Sequence, residues 1–275
     1  MTTWADLYAA ARDRLGSEQE ARWLVEEASG APVPAGAAVL DRPGRRFTEM
    51  LERRAAGEPL QYVLGSWAFR RLDLMVDRRV LIPRPETEQV VGFALEQIAG
   101  RRGPLAVDLG TGSGAIALSL VVEHPSVDVW ATDASAAALE VARANAAGVG
   151  GRAAARVRFA MGSWWEALPG ELRGRVDLIV SNPPYLSDAE LATADPAVRG
   201  WEPATALAAG PDGIEALAQV LNGAPEWLAA GGVAVVEVAP HQVPEVTAIA
   251  AAAGLGRTDV RPDLAGRPRA VVARR

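Results

Sequence analysis

The chain has 275 residues, no cysteine, two histidines and a formal net charge of −6. The absence of cysteine excludes disulfides and thiolate metal sites, and so few histidines make a metal centre or a Ser-His triad a poor expectation. We find neither an apolar run near the roughly 20 residues that cross a bilayer nor a leader-like start, so we expect a cytoplasmic, globular protein without a membrane partner. The negative charge argues against direct nucleic-acid binding.

The N-terminal part of the sequence has apolar residues at helical spacing, such as Trp4, Leu7 and Ala11. We predict a small helical domain over residues 1–58, in which a Pro-, Gly- and Ala-rich segment at 32–44 connects helices and a further helix covers about 47–56. Alternating apolar residues then predict a β-hairpin linker over 59–80. A larger domain is expected at 81–275.

A glycine-rich turn follows an apolar run at 105–109 and precedes a helical pattern. It comprises Gly110, Thr111, Gly112, Ser113 and Gly114, and its glycines would let the backbone approach a ligand closely. By itself this loop does not separate a dinucleotide site from a site for another nucleoside cofactor.

Asp133 ends the next predicted strand, about 20 residues beyond the glycine-rich turn, where a carboxylate could accept hydrogen bonds from a ribose diol. It could otherwise cap the helix predicted at 135–147. Trp164 follows the third predicted strand, and either core packing or a place beside an adenine would suit it.

Residues 176–185 read as a buried strand that stops abruptly at Asn182, Pro183, Pro184 and Tyr185. The prolines stiffen the turn and donate no backbone hydrogen bond, so the turn presents mainly acceptors. Acceptors beside an aromatic ring suit a planar NH2 group, which an amide or a nucleobase could supply.

The C-terminal part of the sequence continues the alternation of strands and helices, which predicts a doubly wound α/β sheet. We expect a loop at 187–205, a helix at 212–228 and a strand at 233–238. A helix at 244–253 and strands at 257–260 and 269–273 would complete the domain. The segment 81–88 combines a helix start with acidic residues, which is compatible with simple capping or with a function.

These motifs together resemble the class I S-adenosylmethionine-dependent methyltransferases that act on planar nitrogens. Three further stretches are similar to the peptide chain release factor N5-glutamine methyltransferases: 57–62 before Gly65, 81–88, and 199–203 with 263–267. The likeness extends from about residue 21 to the C-terminus. Ser163 departs from the pattern, since family members often carry aspartate before the residue matching Trp164.

The resemblance implies a Rossmann-like, mostly parallel seven-stranded sheet, an N-terminal helical substrate-binding domain and S-adenosylmethionine as cofactor. It also implies the glutamine of the Gly-Gly-Gln motif of class 1 peptide chain release factors as substrate. The implied cofactor-binding residues are Gly110, Thr111, Gly112, Ser113, Gly114, Asp133, Trp164 and Asn182, and the implied catalytic residues are Asn182, Pro183, Pro184 and Tyr185. Methylation of ribosomal protein L3 or of adenine N6 in nucleic acid are the alternatives.

Overall fold

The computed structural model describes residues 2–32 and 37–275. The chain divides into two compact units, Met1–Ser66 and Trp67–Arg275. The helices of the described residues are α1 (Trp4–Leu15), α2 (Glu18–Ser29), α3 (Asp41–Ala55), α4 (Leu60–Leu64), α5 (Pro85–Ile98), α6 (Ala115–Glu123), α7 (Ala136–Val149), α8 (Gly151–Ala154), α9 (Asp188–Thr193), α10 (Pro196–Trp201), α11 (Glu215–Trp227) and α12 (Val243–Ala252). The strands are β1 (Ser66–Phe69), β2 (Leu72–Met75), β3 (Leu105–Leu109), β4 (Asp128–Asp133), β5 (Val157–Met161), β6 (Val176–Ser181), β7 (Leu186–Ser187), β8 (Ala208–Gly210), β9 (Leu228–Glu237), β10 (Arg257–Pro262) and β11 (Pro268–Arg274).

The first unit packs α1 to α4 around a small apolar core, in which Trp4 meets Phe47 edge to face at 6.2 Å between ring centroids. Thr3 and Asp6 form a capping box that starts α1. Helix α3 begins at Asp41, earlier than the predicted residue 47. The predicted connection at 32–44 lies partly outside the described residues.

The predicted hairpin is shorter than expected, because residues 60–64 form α4 and only β1 and β2 pair. Leu60 and Val63 stand three residues apart and both enter the core of the first unit, which one helical turn achieves. Gly65 then ends the turn with a left-handed backbone at φ +83°. The alternation of apolar residues was therefore misleading in this short segment.

From Trp67 onward the hairpin belongs to the second unit, where its turn and its last strand bond to neighbouring helices. Arg70 binds the Glu123 carboxylate at 2.6 and 2.7 Å and the Glu88 carbonyl at 2.6 Å. The Asn145 side chain accepts from the Met75 amide at 2.7 Å and donates to the Met75 carbonyl at 3.0 Å. These bonds fix the β1–β2 pair against α5, α6 and α7.

The main sheet has the strand order β10-β11-β9-β6-β3-β4-β5, and β11 runs antiparallel to both of its neighbours. The parallel pairs β3–β4, β3–β6, β4–β5 and β6–β9 bring their carboxyl ends to one edge. The predicted mostly parallel seven-stranded sheet is thus confirmed. Ligands of open α/β sheets bind at such an edge.

Two connections differ from prediction. The expected loop at 187–205 holds α9 and α10, because Ser187 forms a capping box with Glu190 and the Asp195 side chain caps α10. Strand β9 begins at Leu228 instead of residue 233. No helix within the described residues is long and apolar enough to cross a membrane.

Candidate active site

A cavity of about 450 Å³ opens at the carboxyl edge of the main sheet. Its lining includes eight of the predicted site residues: Gly110, Thr111, Gly112, Ser113, Asp133, Trp164, Asn182 and Pro184. Gly114, Pro183 and Tyr185 do not line it. The glycine-rich turn and the Asn182 turn are 70 residues apart in the chain and therefore line the same cavity only because the sheet brings them together.

The glycine-rich turn is fastened to the end of β4, since the amides of Gly110 and Thr111 both donate to the Thr132 carbonyl at 2.9 and 2.8 Å. Gly114 starts α6 with φ +84°. A Cβ there would lie 3.2 Å from Leu118 Cδ1. Gly114 thus serves the close approach of helix and loop, and the other four residues of the turn face the cavity.

Asp108 lies directly behind this turn and is completely buried. Its Oδ2 accepts from Thr111 Oγ1 at 2.6 Å and from the Ala117 amide at 3.1 Å, while Oδ1 has no partner among the described residues. Burial raises the pKa of Asp108 to about 7, against the lowering effect of these two donors. Asp108 is not among the predicted site residues, although it stands two residues before the glycine-rich turn.

Asp133 does not cap α7 and is bonded to the glycine-rich turn, so its ribose role stays a prediction. The Ser135 side chain caps α7, whereas the Asp133 Oδ2 accepts from the Gly112 amide at 2.9 Å and its Oδ1 from the Ser135 amide at 2.8 Å. A carboxylate has about four lone-pair sites, so it can also accept from a diol. Burial raises the pKa of Asp133, and the amides of Ser135 and Gly112 oppose that rise.

Trp164 lines the cavity and also packs against the apolar core of the second unit, as does Trp165. A Cβ on Gly110 would lie 3.7 Å from the Trp164 ring, so this ring covers the glycine-rich turn, and its backbone has an unusual φ of +44°. Trp165 stacks on Trp227 with centroids 5.9 Å apart. Trp164 therefore combines a place in the cavity wall with core packing, and Trp165 packs against the same core.

The Asn182 side chain is held by Thr87, which is held in turn by Glu237, and sequence reasoning missed both residues. Its Nδ2 donates to Thr87 Oγ1 at 3.1 Å, and that hydroxyl donates to Glu237 Oε2 at 2.7 Å. Glu237 is 1% exposed, and burial raises the pKa of its carboxyl to about 7. Thr87 lies in the distinctive 81–88 segment, and Glu237 is a lone carboxylate at the end of an apolar strand, which could have signalled it.

Tyr185 supports the turn from behind. Its carbonyl accepts from Gln242 Nε2 at 2.8 Å, and the same nitrogen donates to the Gly213 carbonyl at 2.8 Å. Burial, and next the nearby Glu237, raise the pKa of Tyr185 to about 12. The phenol therefore stays protonated at neutral pH and is unsuited to act as a base.

Three of the distinctive stretches, 81–88, 199–203 and 263–267, are joined to one another by side-chain contacts. Glu202 is buried and accepts from the Arg84 guanidinium and from the Ile82 amide. Arg267 lies 3.4 Å from Glu86 and 2.9 Å from Asp263. Glu86 therefore contacts an arginine, and the ion pairs join segments 81–88, 199–203 and 263–267.

Comparisons with known proteins agree with this architecture. The family profile described as "PrmC N-terminal domain" matches residues 3–65, and "Methyltransferase small domain" matches residues 92–198. A Deinococcus radiodurans protein named "Release factor glutamine methyltransferase" is 41% identical over 94% of this chain and 91% of its own length. One of the same name from Moorella thermoacetica is 44% identical over 89% and 82%.

The chain belongs to the release factor glutamine methyltransferase family. Identity at this level over most of both chains carries the assignment. A solved Pyrococcus furiosus methyltransferase, 18% identical with a TM-score of 0.53 over 84% of this chain and 98% of its own, shares the fold. This chain is thus a class I methyltransferase that uses S-adenosylmethionine as methyl donor.

The residues present suit that cofactor. The cavity allows a ligand to approach the backbone closely at Gly110 and Gly112. It also offers the Asp133 carboxylate, which can accept further hydrogen bonds, and the aromatic ring of Trp164. A methionine part, a ribose and an adenine need these three kinds of contact respectively. Ser163 lines the cavity without supplying the acidic group that is common there in the family.

Proposed function

We propose that this chain methylates the side-chain amide nitrogen of the glutamine in the Gly-Gly-Gln motif of class 1 peptide chain release factors. The observation that carries the proposal is that Asn182 and Pro184 line the same cavity as Gly110, Asp133 and Trp164. An acceptor for an amide NH2 therefore stands beside the cofactor site. The names of the relatives support the choice of substrate. A reaction on release factors would take place in the cytoplasm.

An amide nitrogen is a poor nucleophile, because its lone pair is delocalised into a bond whose rotation barrier is about 18–20 kcal/mol. Asn182 Oδ1 and the Pro183 carbonyl would accept the two N–H hydrogens and raise the electron density on nitrogen. Preorganised contacts of this kind contribute roughly 3–4 kcal/mol each. Fixing the nitrogen in line would supply a further ~7–11 kcal/mol.

The cofactor supplies an electrophilic methyl on a sulfonium. On the protein side, Gly110 to Ser113 would hold its methionine part, Asp133 its ribose hydroxyls and Trp164 its adenosine. The methylated nitrogen must lose one proton, which we assign to water or a backbone acceptor, since the phenol of Tyr185 stays protonated. Pro184, which lines the cavity, would pack against the amide plane, and Tyr185 would support the turn behind it.

The first unit and the hairpin would hold the release factor. This proposal extends the predicted substrate-binding role of residues 1–58 to α4. It leaves the methyl-transfer chemistry to the second unit, to which every residue lining the cavity belongs.

Intact-protein mass spectrometry tests the proposed function directly. A release factor is incubated with this protein and S-adenosylmethionine, beside a release factor whose Gly-Gly-Gln glutamine is replaced. We expect a gain of one methyl mass only on the unaltered motif. If the mass of the release factor does not change although calorimetry shows that the cofactor binds, the proposed substrate is wrong. Ribosomal protein L3 or adenine in nucleic acid would then be the substrate to test.

A further inference from the structure

The two ends of the Asn182 side-chain amide differ in what they can do for a substrate. The oxygen accepts hydrogen bonds, whereas the NH2 group only donates them. A glutamine substrate presents an NH2 group to be methylated, so only the oxygen end of Asn182 can hold it. The direction in which this amide points therefore decides whether the site is competent.

Thr87 lies between Asn182 and Glu237. Its Oγ1 is 2.7 Å from Glu237 Oε2 and 3.1 Å from Asn182 Nδ2. A carboxylate only accepts, so the single hydroxyl hydrogen is committed to Glu237 and the hydroxyl lone pairs are left for Asn182. Asn182 must then present its NH2 group to Thr87, which leaves its oxygen for the cavity.

We propose that Thr87 and Glu237 are positioning residues that set the orientation of the Asn182 amide for substrate binding. The inference rests on the proposed function, because it assumes an amide NH2 as the group to be held. It assigns the distinctive threonine of the 81–88 segment to the acceptor geometry of the site, beyond its place in the first turn of α5.

Protonation of Glu237 would reverse the chain of hydrogen bonds. A proton on Oε2 would be donated to Thr87 Oγ1, and the Thr87 hydroxyl would then donate to Asn182. The amide would turn its oxygen to Thr87 and its NH2 group to the cavity. Two NH2 groups would face each other, so the substrate amide would lose its acceptor.

The surroundings of Glu237 place this change near neutral pH. Burial raises the pKa of the carboxyl to about 7, and Glu86 adds to the rise. The hydrogen bond from Thr87 opposes the rise most, followed by Arg269 from β11 and Arg84 at the start of α5, and the Tyr185 phenol beyond β6 stays neutral. The competent orientation is therefore favoured as pH rises through about 7.

Substitutions at Thr87 test the relay. Thr87→Val keeps the branched shape and removes the hydroxyl, and we expect a fall in kcat of about 10–100-fold with little change in cofactor affinity. Thr87→Ser restores the hydroxyl and should recover activity to within about threefold of the wild type. Thr247→Val is the matched control, since that hydroxyl bonds only within α12, to the Val243 and Pro244 carbonyls.

Glu237→Gln tests the carboxylate. A glutamine can donate to Thr87 as well as accept from it, so it no longer sets one direction for the relay. We expect lower kcat at pH 8 and the loss of the wild-type rise in activity between about pH 6 and 8 that Glu237 contributes. Asp108 remains in both proteins, so the difference between their pH profiles isolates Glu237.

The side-chain amide signals of Asn182 in nitrogen-15 NMR give a readout independent of methyl transfer, with Asn182→Asp to assign them. In the wild type these signals should shift with a midpoint near pH 7, and in Glu237→Gln and Thr87→Val they should not. An inactive wild-type enzyme would refute the proposed function. If the wild type is active, the positioning role alone would be refuted by either of two results. One is a kcat of Thr87→Val equal to that of the wild type, and the other is a kcat of Thr87→Ser as low as that of Thr87→Val.

Discussion

Asn182 combines a stiff backbone with a side chain anchored at one end. Pro183 and Pro184 restrict the backbone after it, and Thr87 binds its nitrogen. A residue that needs no reorganisation before the substrate arrives contributes most to the transition state. Its amide oxygen is therefore the part of this site whose removal should affect turnover most.

We expect Asn182→Ala to lower turnover by about 10²–10³ while cofactor affinity changes little, because one preorganised acceptor is lost and the glycine-rich turn is untouched. Steady-state methylation of a release factor and calorimetry with S-adenosylmethionine measure the two effects. Asn222→Ala, at an exposed position of α11, is the control. Turnover near the wild-type value would exclude Asn182 from catalysis.

Asp108 should make the folded protein less stable as pH rises. Its pKa of about 7 in the folded protein lies well above the ordinary value of an aspartate carboxyl, so the folded state binds the proton more tightly than the unfolded state does. The stabilisation is complete below about pH 4 and is lost as pH rises through about 7.

Asp108→Asn removes this dependence, because an amide does not titrate, and its oxygen can still accept from Thr111 and Ala117. We expect the free energy of unfolding of the variant, relative to wild type, to rise by a few kcal/mol between acidic and weakly alkaline pH. Urea unfolding at several pH values measures it. A difference that is constant with pH would contradict the burial effect.

Asn145 of α7 connects three elements of the second unit, one of which is the hairpin β1–β2. In addition to both backbone groups of Met75, Asn145 binds the Ser113 carbonyl at 2.8 Å, in the glycine-rich turn. One buried amide thus connects the hairpin, α7 and the cofactor wall. Two strands alone would be only marginally stable in water, so this anchor matters for the hairpin.

Asn145→Ala should lower the free energy of unfolding by about 1–3 kcal/mol, because the half-buried backbone groups of Met75 and the buried carbonyl of Ser113 lose their partner. It should also weaken cofactor binding, since Ser113 lines the cavity. Thermal unfolding and calorimetry provide the measurements. A variant with unchanged melting temperature would show that these groups find other partners.

In the whole molecule, the cofactor site is built from residues of the second unit and from none of the described residues of the first. All residues lining the cavity lie between Arg79 and Ala206, within the second unit. The two apolar cores of that unit cover both faces of its sheet and draw on α5, α6, α11 and α12. Cofactor binding should therefore not need residues 1–65.

A fragment that begins at Ser66, and so keeps β1, should bind S-adenosylmethionine with an affinity close to that of the full chain. Its kcat/KM for a release factor should fall at least about tenfold, mainly through KM, because proposed substrate contacts are lost without change at the reacting atoms. Binding and methylation assays on both proteins compare them. Undiminished kcat/KM would remove the first unit from substrate binding.

Local sequence determined the parts of this protein that depend on backbone chemistry and periodicity. The glycine-rich turn, the strand before Asn182 and the stop imposed by Pro183 and Pro184 follow from residue types that allow few conformations. Strands alternating with helices likewise fixed the sheet class, because burial on both faces requires apolar runs. Distinctive segments such as 81–88 indicated the family.

Tertiary structure alone decided which distant groups meet and with what charge. Helix α4 replaced a predicted strand because Leu60 and Val63 had a core to enter, and Asp133 bonded to the glycine-rich turn instead of capping α7. Thr87 and Glu237 are 150 residues apart. Their hydrogen bond, and the burial that raises the pKa of Glu237, arise from packing across the sheet, which no local pattern in the sequence encodes.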